Sequence, residues 1–194
     1  MTPAEIHGLL NFLRRAERLK TVTRTSWTSE GKQESTAEHT WRLCLFALSV
    51  KPWFPELNFE RVLAIALVHD LGEAISGDIS AVLQVGAPPK HEQERRDLLE
   101  LIGDAPESVR MNLVALFDEY NAAATPEAKF VKAFDKLETI LQHNQGRNPA
   151  TFDYAFNLPY GQAYTAGHPM IVKLREILDA ETSARAAGDR PPPP

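Results

Sequence analysis

The 194 residues carry 21 Lys and Arg against 26 Asp and Glu, a formal charge of −5, with 43% apolar and 24% charged side chains. A chain of this length and composition buries an ordinary globular core without staples. No run approaches the roughly 20 apolar residues of a membrane helix, and no Lys/Arg stripe marks a nucleic-acid surface, so neither a membrane nor a nucleic-acid polymer is an expected partner. A small anionic ligand stays open if positive charge gathers in one pocket. The N-terminal MTPAEIHGLLNFLRRAERLK mixes charges into its apolar pattern and lacks the features of a secretory signal, so a cytoplasmic protein is expected. The single cysteine, Cys44, lies among Trp41, Leu43, Leu45 and Phe46 and reads as a buried, inert thiol.

Helix starts recur along the chain, and strand signals are scarce. Thr2-Pro3-Ala4-Glu5 is a capping box with Pro at the first helical position, and Ile6, Leu9, Leu10 and Leu13 follow at helical spacing toward Lys20. Ser35-Thr36-Ala37-Glu38 is a second capping box, opening a helix that ends before Lys51-Pro52. From Asn58 the segment FERVLAIALVHD is apolar on almost every side, which predicts a central helix surrounded by protein. Pro88 and Pro89 precede a charged helix from Lys90 to Ile102, and Asp104-Ala105-Pro106-Glu107 opens another through Val114 to Tyr120. Thr125-Pro126 caps a helix with Phe130, Phe134, Leu137 and Leu141 on one stripe, stopping near Gly146. Asn148 to His168 reads as an ordered loop with one helical turn, and a last helix follows Pro169. The expectation is one all-α domain over 1–182 with an Ala/Pro-rich, disordered tail over 183–194.

The chemistry starts where His69 and Asp70 end the apolar helix. A carboxylate in such surroundings needs a cation or several donors, although a helix end reaching solvent is the plainer reading of a bare His-Asp pair. His39 adds weight, because it lies one turn into its helix on the face of Leu43, Phe46, Ala47 and Val50 and so points inward. A lone inward histidine is usually a satisfied core residue; two with a buried carboxylate are hard to satisfy without a divalent metal. Glu73 follows His69 by four residues and joins the same face if helical geometry persists through Gly72.

STAEHTWRL, ALVHDLGEAISGDI and PEAKFVKAFDKLETILQHN, with the preceding LKTVTRTSW, resemble the HD-domain 5'-deoxynucleotidase family over residues 5 to 160. The resemblance implies an all-α HD-domain bundle, a homodimer, and hydrolysis of deoxynucleoside 5'-monophosphates by attack of a metal-bound water. It also implies one divalent ion on His39, His69, Asp70 and Asp135. On the helical wheel Asp135 lies at the edge of its apolar stripe and Glu138 nearer the centre, so Asp135 is chosen on the family motif alone. Glu138 then reads as an edge carboxylate paired with a nearby Lys or Arg. Mixed N/O ligands suit Mn, Co, Fe, Ni, Zn or Cu.

Arg24 matches the family's phosphate-binding arginine, and Glu73 and Asp78 match acidic positions that handle protons or orient water or a sugar hydroxyl. Trp27 either walls the sugar or base side of the pocket or anchors its loop to the core. Asp78 in Ser76-Gly77-Asp78 also reads as a simple turn. Ser26 stands where glycine is common in the family. His91 is the sole histidine between the HD pair and Asp135, in a solvated helix start, which disfavours a two-metal site. His143 is expected at a helix end or pocket wall, and His168 in a loop. The alternatives to the nucleotidase reading are a regulatory nucleotide-binding HD module, an HD hydrolase of another phosphoester, and an inert helical scaffold.

Overall fold

The computed structural model describes residues 1–78 and 90–188. Pro88, Pro89 and 189–194 of the expected tail lie outside the described residues. Helix α1 (Pro3–Ala16) begins on the Thr2–Glu5 capping box and continues as a 3-10 turn over Glu17–Lys20. A short antiparallel hairpin follows, β1 (Thr23–Trp27) and β2 (Gln33–Ser35), which the sequence pattern had not signalled because its five- and three-residue strands are largely polar. Ser35 both ends β2 and caps α2 (Thr36–Val50) in the expected box with Glu38. Asn58 caps α3 (Phe59–Val68), and the chain then turns through His69–Gly72 into the single turn α4 (Glu73–Ser76). Gly72 keeps ordinary helical angles; it is required because a Cβ there would stand 2.5 Å from the Glu94 carbonyl oxygen of the next helix.

Helices α5 (Lys90–Leu101) and α6 (Glu107–Ala122) come next. The Asp104 cap was misplaced: Pro106 is the N-cap of α6 and offers no side-chain acceptor. Thr125 caps α7 (Pro126–Gln145) as expected, and α8 (Gln162–Thr165) is preceded by a 3-10 turn over Tyr154–Asn157, so the aromatic loop holds two turns rather than one. The last helix, α9, spans Pro169–Ala186 and so runs past the residue where the tail was expected to begin; His168 caps it, its Nδ1 accepting from Met170 N at 3.2 Å. Among the described residues no helix is long and apolar enough to cross a membrane.

The most enclosed helix is α7, not α3. Thirteen of its twenty residues are buried, and it packs against α2, α3, α6, α8, α9 and β1. Phe130 and Phe134 stack at 4.2 Å with Phe54 edge-on at 4.9 Å to Phe130, and Leu137 and Ile140 continue the stripe. Each such buried apolar side chain stabilises the fold by about 1.5–3 kcal/mol. In α3 five of ten residues are buried, while Leu67 is 58% exposed, so its apolar outer face is uncovered within one chain. Ile6, Leu10 and Leu13 of α1 and Trp41, Leu45 and Leu48 of α2 are likewise exposed at helical spacing. Cys44 is half-buried, and burial raises its thiol pKa, in keeping with an inert thiol.

Candidate metal centre and its cavity

Three helices bring the expected ligand groups together. His39 comes from the first turns of α2, His69 and Asp70 from the end of α3, and Asp135 from the middle of α7. His39 Nε2 lies 3.3 Å from Asp135 Oδ1 and 3.9 Å from Asp70 Oδ2, and His69 Nε2 lies 3.0 Å from Asp70 Oδ2.

The outer nitrogen of each histidine faces a group that can only accept, which makes that nitrogen the donor. His69 Nδ1 donates to the Ala66 carbonyl at 2.7 Å, and His39 Nδ1 donates to Glu138 Oε2. In the neutral imidazoles both Nε2 lone pairs therefore face inward, and both atoms are buried without a hydrogen-bond partner. Asp135 Oδ2 accepts from Tyr120 OH at 2.7 Å and from Lys136 Nζ at 2.9 Å, leaving Oδ1 directed at His39. Burial opposes ionisation of Asp70 and Asp135, yet His69 and His39 beside Asp70, and Lys136 with His39 beside Asp135, hold both carboxyls well below the usual carboxylate range. Two orphaned imidazole nitrogens facing two ionised carboxylates are the donor set of a divalent cation, and the residues present fit one.

A second cluster, Glu34, His39 and Glu138, lies behind the first. Two guanidinium groups already occupy it: Arg42 Nε donates to Glu138 Oε1 at 2.6 Å, and Arg24 Nε is 3.6 Å from Glu34 Oε2. Burial, then Glu138, pushes the Glu34 carboxyl up, while Arg24, His39 and Arg42 act in the opposite direction. The cluster is a support for His39 and Arg24 rather than an ion site. Glu138 is fully buried, so the expectation of an edge carboxylate fails; its pairing with an arginine holds, and its contact with His39 was unforeseen.

Arg24 projects from β1, its Nη2 donating to Thr139 Oγ1 at 3.0 Å and its Nη1 3.7 Å from Asp70 Oδ2. Burial works against its charge, but Asp70, Glu138, Asp135 and Asp78 outweigh it, so the guanidinium stays protonated. Glu73 is buried and accepts from Thr36 Oγ1 at 2.8 Å. A cavity of about 1010 Å³ opens over these groups, and Arg24, Trp27, Asp70, Glu73, Asp78 and Asp135 all line it. Trp27 lines the cavity, its ring meeting Phe152 edge-on at 6.4 Å, and its backbone carbonyl accepts from Gln142 Nε2 at 2.6 Å. Ser26 is buried, its hydroxyl donating to His143 Nε2 at 3.0 Å while His143 Nδ1 donates to Asn157 Oδ1 at 2.9 Å. His143 is thus a pocket-wall residue tying the hairpin to the aromatic loop, and burial lowers its pKa, so it is neutral. His91 is exposed, as expected of a solvated helix start, but lies on the cavity rim. Tyr120, Lys132 and Lys136 also face the cavity and had not been singled out, since only the approach of α6, α7 and the aromatic loop brings them there.

A family model described as HD domain matches residues 16–174. The chain belongs to the HD-domain family. It is 36% identical over 187 residues to the 5'-deoxynucleotidase HDDC2 of Bos taurus, covering 93% of this chain and 89% of the bovine one. It is 38% identical over 151 residues to the 5'-deoxynucleotidase hdd1 of Schizosaccharomyces pombe, covering 73% and 74%. Among solved structures, a predicted metal-dependent phosphohydrolase from Magnetospirillum magnetotacticum MS-1 superposes with a TM-score of 0.78 at 25% identity, covering 97% of each chain. The protein is an HD-type phosphohydrolase.

Proposed function

We propose that this phosphohydrolase converts deoxynucleoside 5'-monophosphates to deoxynucleosides and phosphate at the centre formed by His39, His69, Asp70 and Asp135. The observation that carries the reading is the pair of buried, partnerless Nε2 atoms of His39 and His69, facing two ionised carboxylates on the floor of a cavity that also holds Arg24. A divalent cation bound by those four residues supplies Lewis-acid polarisation of a phosphoryl oxygen and an acidified water.

Arg24 binds the phosphate and stabilises charge spreading over its oxygens as the bond to the leaving oxygen breaks. Its contact with Thr139 and its proximity to Glu34 hold the guanidinium plane in place before substrate arrives. Of Glu73 and Asp78, one handles protons on the attacking water or the departing alcohol and the other orients water or a sugar hydroxyl. Trp27, Phe152 and Phe156 give the sugar and base an aromatic wall. Mn, Co, Fe, Ni, Zn and Cu all suit the mixed N/O donors. The same reading includes a cytoplasmic location and a homodimer, the latter supported by the uncovered apolar faces of α2 and α3. Phosphate release from paired 5'- and 3'-monophosphates of each deoxynucleoside tests the substrate reading. Release from the 5' isomers is expected; silence on every nucleotide from protein with tightly bound metal would point to a different phosphoester.

A further inference from the structure

Helix α7 carries more positive charge to the cavity than Arg24 accounts for. Lys132, three residues before Asp135, and Lys136, one residue after it, both line the cavity. Lys136 is committed, its ammonium 2.9 Å from Asp135 Oδ2. Lys132 makes no direct ion pair with a described residue: its Nζ stands 3.9 Å from the centroid of the Tyr120 ring and 5.5 Å from that of Tyr164, while Asp135, Glu94 and Asp70 favour its charge from farther off. An ammonium half-withdrawn from water and resting on the electron-rich faces of two tyrosines is stabilised only in part, and an anion in the cavity completes its environment.

The position of Lys132 relative to Arg24 says which anion. Arg24 reaches α7 at Thr139, four residues after Asp135, and Lys132 leaves it three residues before. The two cations thus bracket Asp135 along the helix axis, their attachment points about 10 Å apart at the α-helical rise. A tetrahedral phosphate bound over Asp135 and Asp70 would lie between them, within reach of a charge-assisted hydrogen bond from each side. Tyr120 links the parts: its hydroxyl holds Asp135 Oδ2, and its ring face carries Lys132.

We propose that Lys132 is a second phosphate-binding cation, closing on the phosphoryl group from the end of the cavity opposite Arg24. This rests on the phosphomonoester reading of the centre and names a further substrate-binding residue for it. The competing explanation is a strut, in which Lys132 only ties α8 to α7 through Tyr164.

The test is calorimetric titration of inorganic phosphate into the metal-loaded full chain as wild type, Lys132→Met and Lys132→Arg, beside melting temperature, metal affinity by chelator competition, and KM and kcat on a deoxynucleoside 5'-monophosphate. Lys132→Met is expected to weaken phosphate binding about tenfold or more and to raise KM by a similar factor, with metal affinity unchanged and Lys132→Arg recovering much of the loss. Equal phosphate affinity in wild type and Lys132→Met overturns the inference, as does a loss confined to the melting temperature or a wild type that binds no phosphate. Phosphate affinity that depends on Lys132, in a protein that releases phosphate from no nucleotide, would sink the nucleotidase reading and leave this inference standing.

Discussion

Replacing Glu138 by glutamine isolates the role of the carboxylate behind His39. Glu138 is fully buried with its two oxygens divided, Oε2 accepting from His39 Nδ1 and Oε1 from Arg42 Nε at 2.6 Å. Glutamine keeps one acceptor where there were two, so it satisfies either His39 or Arg42 and turns an NH2 toward the other. If it keeps Arg42, His39 loses the partner that fixes its tautomer and the aim of Nε2. Loss of such an outer partner costs about 10–100-fold in metal affinity, or about 1.4–2.7 kcal/mol. If it keeps His39 instead, the partly buried Arg42 loses its carboxylate partner, and Glu138→Gln should melt earlier with its metal affinity kept. Competition with a chromogenic chelator reads the affinity, and thermal unfolding of the metal-free protein reads the stability. A Glu138→Gln protein with both wild-type metal affinity and wild-type melting temperature would refute the claim that Glu138 supports His39 and Arg42.

Arg24→Met should lower kcat/KM on nucleotides by about 10²–10³-fold, checked by steady-state kinetics, because it removes a preplaced charge at the phosphoryl oxygens. Gly146→Ala places a Cβ 2.3 Å from the Trp27 carbonyl oxygen, so it should cost about 1–3 kcal/mol in urea unfolding and disturb the hairpin that carries Arg24. In the metal-free protein, burial and Arg24 oppose protonation of His39, but Glu138 and Asp135 outweigh them and raise its pKa from 6.5 to about 9. A raised histidine pKa stabilises fully below the unfolded value and is lost as pH climbs through the folded one. Metal-free protein should therefore lose stability between about pH 6.5 and about 9, followed as melting temperature against pH, while the loaded protein, whose Nε2 holds the cation, should not show that loss.

The helices were legible because their ends are written locally. Thr2, Ser35, Asn58 and Thr125 each accept from a backbone N–H near the start of the helix that follows, and a cap needs only a few residues to be recognised. The residues that meet at the candidate centre were legible through His39 and the apolar run before His69, with Asp135 supplied by the family motif. Helical periodicity favoured Glu138 for a sound reason: it sits deeper on α7 than Asp135, and that depth suits a group that supports His39 from behind rather than one that opens onto the cavity. Periodicity measures burial, not which buried carboxylate meets solvent. Tyr120 and Lys132 lie on different helices, and their pairing depends on how α6 packs on α7, which no local pattern encodes. The same limit misjudged α3: an apolar circumference says that a helix will be covered, but not that one chain does the covering, and Leu67 is open in the single chain.

The central claim is that His39, His69, Asp70 and Asp135 hold a divalent ion required for phosphate release. The direct measurement is phosphate release from deoxynucleoside 5'-monophosphates by metal-stripped protein resupplied separately with Co, Mn, Zn and Mg, beside Asp70→Ala. Release that is absent from the stripped protein, returns with at least one transition metal, and is lost in Asp70→Ala is the predicted result. Undiminished release by the stripped protein, or by folded Asp70→Ala, would contradict the claim.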